Sequence, residues 1–210
     1  MISSIGYNEQ EIIQNILSLH CGGGPIECDP TYSVGNFYKH GLKEPMFRYD
    51  IDPQRDGVVG ASVDSLPLEN ESVRVVMFDP PFLMNGESKK KREDKTGLIG
   101  KRFTSFANWK ELTEMYGGAM KELYRVLKNR GVLIFKCQDS VVGGKNYFSH
   151  VWIANRAVEI GFYPKDLLIL LARSRMTDGR KQQHARKFHS YFWVLEKRTI
   201  GYKLVPKEQP

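Results

Sequence analysis

The sequence predicts an α/β domain built on a mostly parallel sheet, and three observations carry that expectation. The first is Val75-Val76-Met77-Phe78, an unbroken apolar run of the kind that forms a strand buried on both faces of a parallel sheet. The second is the abrupt end of that run at Asp79-Pro80-Pro81-Phe82, where two prolines fix φ and contribute no N–H. The third is alternation: short apolar runs that finish on acidic or polar residues interleave with stretches whose apolar positions recur at helical spacing.

Taken in order, Asn8 caps a predicted helix whose apolar positions are Ile12, Ile13, Ile16, Leu17 and Leu19, stopping before Cys21-Gly22-Gly23-Gly24-Pro25. Ile26-Glu27-Cys28 reads as a strand entering an Asp29-Pro30 turn, with Gly35 and then Phe37 and Tyr38 at a helix-like start. A second strand, Phe47-Arg48-Tyr49, ends on Asp50, and a third begins at Val58-Val59 and ends near Ser62 and Asp64. Too few residues separate these two for a helical crossover, so a missing or vestigial helix is expected there. After the fourth strand and its Asp79 end, residues 83–107 have no periodicity and carry Lys89, Lys90, Lys91 and Arg92 in a row.

Asn108 caps the next helix, which runs through Leu112, Tyr116, Leu123 and Val126 to Asn129-Arg130-Gly131, with Gly131 as the predicted stop. Val132 to Phe135 form the fifth strand. Ser149 is read as the cap of a last helix that Gly161 ends, before strands at Leu167 to Leu171 and Tyr191 to Leu195. The connection between those strands, residues 173–189, holds Arg173, Arg175, Arg180, Lys181, Arg186 and Lys187, enough cations to track a phosphate backbone.

Composition narrows the class. At 210 residues the chain suffices for one α/β domain and is short for two, so residues 1–210 are expected to form a single domain. A formal charge of +7 and a pI near 9.2 favour a polyanionic partner. Cys21, Cys28 and Cys137 are an odd set without C-x-x-C spacing, which indicates neither a disulfide framework nor a zinc site and fits a reducing, cytoplasmic setting. No stretch approaches membrane-spanning length and no basic segment leads into an apolar core at the amino terminus, so no membrane partner and no metal are expected.

The chemistry implied by Asp79-Pro80-Pro81-Phe82 is the binding of a flat amine. In open α/β sheets ligands bind beyond the carboxyl ends of the strands. There, the Asp79 carboxylate and the Pro80 carbonyl can accept two hydrogen bonds from one exocyclic NH2 group while Phe82 stacks on its heterocycle. The plain alternative is a proline-stiffened turn with an aspartate cap.

With strand ends at Asp29, Asp50, Ser62 or Asp64, and Asp79, the chain resembles the S-adenosylmethionine-dependent methyltransferases. More narrowly it looks like the amino-methyltransferases that modify the exocyclic nitrogen of adenine or cytosine in DNA, whose hallmark is D-P-P followed by an aromatic residue. The resemblance implies a Rossmann-like fold: a mostly parallel seven-stranded sheet with an antiparallel last strand and helices on both faces. It implies S-adenosyl-L-methionine as cofactor. Asp29, with Thr31, Ser33 and Gly35, matches the family's D-P-F-x-G-S-G segment, where the acid faces the methionine portion and Gly35 lets the backbone approach the cofactor; Ser33 stands where a glycine is usual. Asp50 matches the acid that takes both ribose hydroxyls, with Asp52 a competitor, and Ser62 or Asp64 would accept from the cofactor's adenine amine.

By the same resemblance Asp79, Pro80, Pro81 and Phe82 are the catalytic set, transferring the methyl group directly to an amine of a flipped or single-stranded base. None of the three cysteines follows a proline, in keeping with a reaction that needs no thiolate nucleophile. The family's separate target-recognition domain has no counterpart, so Lys89 and Lys90 in 83–107, and Arg180, Lys181, Arg186 and Lys187 in 173–189, would contact nucleic acid instead. DNA is the favoured partner and RNA the alternative. A non-catalytic nucleic-acid-binding domain on the same scaffold is the third reading, prompted by Ser33 and Ser62. Adenine versus cytosine, the recognition sequence and the oligomeric state are not encoded in any motif of the chain.

Overall fold

The computed structural model describes residues 1–84, 106–172, 184, 185 and 187–198. Along the chain run β1 (Ile5–Gly6), α1 (Glu9–His20), β2 (Cys28–Asp29), a 3-10 turn (Asn36–Tyr38), β3 (Phe47–Asp50), β4 (Val59–Gly60) and β5 (Val73–Phe78). They are followed by α2 (Trp109–Val126), β6 (Leu127–Cys137), β7 (Ser140–Val142), β8 (Lys145–Tyr147), α3 (Ser149–Ile160), β9 (Phe162–Leu171) and β10 (His189–Lys197).

Among the described residues the main sheet has eight strands in the order β1-β9-β10-β6-β5-β2-β3-β4. β10 is antiparallel to both β6 and β9, and the other pairings are parallel. The expected count was seven. The eighth is β1, whose two residues pair with Ile169 and Leu170 of β9, a segment too short to show any periodicity in sequence. As expected, no helix joins β3 to β4.

Both faces of the sheet are covered because its central strands carry apolar side chains in both directions. Val76 and Phe78 of β5, with Leu133 and Phe135 of β6, pack against Leu112, Tyr116 and Leu123 of α2. Val75, Met77, Val132 and Ile134 face the opposite way, toward Ile12, Ile13 and Ile16 of α1. This is the two-sided burial that the run from Val75 to Phe78 announces.

Capping explains where the helices start and stop. The Asn8 side chain accepts from Glu11 N–H at 3.1 Å and Asn108 from Glu111 N–H at 3.0 Å, so two orphan amides are met as expected. At α3 the expectation fails: Phe148 is the cap residue and the Ser149 hydroxyl is buried with no partner. A remote carboxylate does the work there, since Asp139 Oδ1 accepts from the His150 N–H at 3.3 Å. Helix α2 also ends before its expected stop, at Val126, and Gly131 lies inside β6. Glycine is needed at 131 because a Cβ would approach the carbonyls of Lys128 and Arg74 to 2.8 and 3.0 Å. Arg130, at φ 66°, takes the left-handed turn. Gly161, at φ 116°, closes α3 as expected.

Two connections run in opposite directions from the middle of the sheet: β2 leads outward through β3 to β4, whereas β5 leads through β6 to the other edge. The carboxyl ends of β2 and β5 therefore border the topological switch point, where an open α/β sheet leaves a crevice for ligands.

Candidate active site

The ends of β2 and β5 are tied together by Thr31. Its hydroxyl accepts from the Asp79 N–H at 2.9 Å and donates to Asp29 Oδ1 at 3.2 Å, while its own N–H donates to the same oxygen at 2.9 Å. Tyr38 donates its hydroxyl to Asp29 Oδ2 at 2.8 Å. Asp29 is 1% exposed, and burial pushes its carboxyl up to about 7 against the lowering effect of the Tyr38 and Thr31 hydrogen bonds. Asp29 thus brackets the loop internally, with both oxygens engaged.

The loop that follows closes on β3. Ser33 N–H donates to Asp50 Oδ2 at 2.8 Å and Asp52 N–H to Asp50 Oδ1 at 3.0 Å. Each oxygen of the half-buried Asp50 keeps a further acceptor site, and the Asp52 side chain is exposed. Ser33 holds φ 50°, a left-handed conformation that costs a side-chain-bearing residue roughly 1–2 kcal/mol and that glycine adopts freely. Gly35, at φ 67°, is required for two reasons: the conformation, and a Cβ that would collide with the Tyr32 hydroxyl. Arg55 donates to that hydroxyl at 3.0 Å, so the glycine makes room for Tyr32 as well as exposing backbone. The two candidates after β4 lie apart: Ser62 is half-buried in a turn closed by Ser65 N–H on its carbonyl at 3.1 Å, whereas Asp64 is exposed beside Gly118 of α2.

At the end of β5 the surroundings change. Asp79 Oδ2 lies 3.2 Å from Lys136 Nζ, and Lys136 also meets Glu9 Oε1 at 2.7 Å. Burial pushes the Asp79 carboxyl up and the Lys136 ammonium opposes this. No described residue bonds to Asp79 Oδ1 or donates to the Pro80 carbonyl. Pro81 is anchored differently, its carbonyl accepting from the Tyr116 hydroxyl at 3.1 Å, and Phe82 is half-buried beyond it.

Sequence reasoning missed Lys136; its signal was a charged residue closing an otherwise apolar strand. It also missed a cluster beyond the end of β6. Asp139, 4% exposed, meets His150 Nδ1 at 2.8 Å, the His150 ring stacks on Tyr191 at 4.2 Å, and the Tyr191 hydroxyl lies 2.8 Å from His189 Nε2. The β7–β8 hairpin leading to it was equally unforeseen, although Gly143-Gly144, at φ 57° and 77°, is a strong two-residue turn signal.

Of the basic residues expected to contact nucleic acid, Lys89, Lys90, Arg180, Lys181 and Arg186 lie outside the described residues. Lys187 is described, its ammonium 5.6 Å from the centre of the exposed Phe148 ring. Among the described residues there is no cluster of metal-ligating side chains, and no helix is long and apolar enough to cross a membrane.

The fold is Rossmann-like and is shared with solved S-adenosylmethionine-dependent methyltransferases. One solved structure with this fold is a methyltransferase of that type from Leishmania major, 14% identical, covering 89% of this chain and 71% of that chain with a TM-score of 0.54. Another is a chain of a Haloferax volcanii complex between a methyltransferase activator and a methyltransferase, 12% identical, covering 86% and 85% with a TM-score of 0.52. A Thermus thermophilus protein named for a DNA modification methylase is 17% identical over 78% of this chain with a TM-score of 0.48, and the chain spans 58% of that protein's length. No protein-family model matches the sequence, and no curated protein matches it.

Proposed function

We propose that the chain is an S-adenosylmethionine-dependent methyltransferase acting on the exocyclic amine of adenine (N6) or cytosine (N4) in DNA. One observation carries the proposal: at the switch point of a methyltransferase fold, Oδ1 of Asp79 and the carbonyl of the next residue, Pro80, have no hydrogen-bond partner among the described residues, and they are two acceptors suited to the two hydrogens of one NH2 group.

The residues present fit the cofactor. Asp50 retains acceptor sites for two ribose hydroxyls, Ser62 or Asp64 accepts from the adenine amine, and the Asp29–Thr31 bracket with Ser33 and Gly35 shapes the loop beside the methionine portion. The cofactor supplies an electrophilic methyl group when bound. The chain's share of the chemistry is positioning: Asp79 and Pro80 orient the amine, and Phe82 offers the ring on which the base stacks. An amine buried in a duplex is out of reach, so the base enters flipped out or from a single strand. The basic segments at 83–107 and 173–189 hold the phosphate backbone.

The test is to incubate the protein with methyl-labelled cofactor and single-stranded DNA, duplex DNA or RNA, digest to nucleosides and identify the labelled one. Label on N6-methyldeoxyadenosine or N4-methyldeoxycytidine is expected. Label confined to RNA nucleosides moves the substrate to RNA; cofactor binding without label anywhere makes the domain a non-catalytic binder; neither binding nor label overturns the proposal.

A further inference from the structure

We infer that Lys136 is a positioning residue for Asp79: its ammonium holds Oδ2 and leaves Oδ1 as the oxygen that meets the substrate amine, with Glu9 competing for the same ammonium. The inference rests on the amine-methylation reading of the site.

The geometry is specific. Lys136 leaves the end of β6, one strand over from Asp79, and its side chain is 15% exposed. The ammonium sits 5.1 Å from the centre of the Phe37 ring and 5.9 Å from that of Phe192, so aromatic rings confine it while two carboxylates share it. Of those carboxylates Glu9 is nearer, at 2.7 Å against 3.2 Å for Asp79. Glu9 is the first residue of α1, and its carboxylate is a rival acceptor for the same ammonium.

The ionised carboxylate is the stronger acceptor for NH2 hydrogens, since protonation turns one oxygen into a donor and weakens the other, and a buried carboxylate tends toward its neutral form. Besides Lys136, the groups among the described residues whose charges reach Asp79 are Glu9 on α1, Asp29 at the end of β2, Cys137 on β6 and Tyr116 on α2. Burial keeps Cys137 and Tyr116 neutral, and Asp29 gains its charge only toward pH 7. Lys136 is therefore the one cation among these groups. Removing it raises the Asp79 midpoint, and removing the Glu9 charge lowers it.

The experiment pairs carbon-13 NMR titration of the Asp79 carboxyl, without cofactor or substrate, with the pH profile of kcat/KM on whichever polynucleotide accepts label. Lys136→Met is expected to raise the Asp79 midpoint by about 1–3 units and carry the acid limb of the profile upward with it. Glu9→Gln moves both down, and Lys136→Arg leaves both near the wild-type position. A midpoint unmoved by Lys136→Met overturns the inference, and so does a moved midpoint with an unmoved acid limb. Should Lys136→Met fail to fold by circular dichroism, Glu9→Gln decides alone, and an unmoved limb in that variant rejects the idea. Full activity in Asp79→Ala removes the amine-methylation reading itself, while the NMR arm still reports on the ion pair, so the two failures are distinct.

Discussion

Two carboxylates flank the switch point, and the protein holds them in opposite ways. Asp29, at the end of β2, is surrounded by donors that carry no charge: the Thr31 amide and hydroxyl and the Tyr38 hydroxyl. Asp79, at the end of β5, meets a lysine through one oxygen, and no described residue bonds to the other. Burial raises the Asp29 carboxyl to about 7 against the lowering effect of its neutral donors, and burial raises Asp79 as well, where an ammonium opposes it directly. The pair teaches that identical residues at equivalent strand ends divide the labour: one builds the loop, the other pairs with a lysine through one oxygen.

The largest expected effect tests the lysine-paired member. Asp79→Ala should lower methyl transfer by on the order of a hundred- to a thousandfold, the scale of losing one preorganised polar contact in an active site, while calorimetric cofactor affinity stays within a factor of a few. Retained activity would merge the roles of the two carboxylates and remove the contrast.

Asp29 is tested through stability. Its folded-state midpoint lies above the ordinary value of 3.8, so its contribution to stability is fully present below about pH 4 and lost as pH rises through about 7. Asp29→Asn removes this titration. Relative to wild type, the variant should therefore gain stability as pH rises from 4 to 7 and level off above, with a total change on the order of 4 kcal/mol in denaturant unfolding. A difference independent of pH would show Asp29 titrating normally.

Asp50 separates the cofactor side from the substrate side. Asp50→Ala should weaken cofactor binding by about 1–3 kcal/mol and leave nucleic-acid affinity unchanged. If Asp52→Ala has the large effect instead, the ribose contact moves by two residues.

The smallest effect probes the phosphate contacts. Neutralising Arg180, Lys181, Arg186 and Lys187 together should flatten the salt dependence of nucleic-acid binding by about one unit of slope per lost contact, with cofactor affinity untouched. Neutralising Lys110, Lys121, Lys128 and Lys203 is the control; an equal loss there would mean diffuse attraction and no defined path over Asp79.

Local features were legible wherever the cause was local. Asn8 and Asn108 cap their helices because the donor lies three residues away, and the acids at the ends of β2, β3 and β5 follow from strands that stop where their apolar runs stop. The missing helix between β3 and β4 follows from the length of the connection. Features with distant causes were not legible. Ser149 looks like a cap, yet the cap of α3 comes from Asp139, and Gly131 looks like a helix stop, yet the carbonyls of Lys128 and Arg74 demand it.

By itself, then, the sequence determined the α/β alternation and the acids at the strand ends, because apolar periodicity, chain length and proline act within a few residues, while the antiparallel last strand was implied by the family resemblance alone. Only the tertiary structure decided which of those acids meets a cation. Lys136 is 57 residues from Asp79 along the chain and reaches it only because β5 and β6 pair side by side, with Glu9 brought in from α1 on the same face. The charge state of a buried carboxylate depends on what stands within a few ångströms of it, and that distance exists only once the sheet has formed.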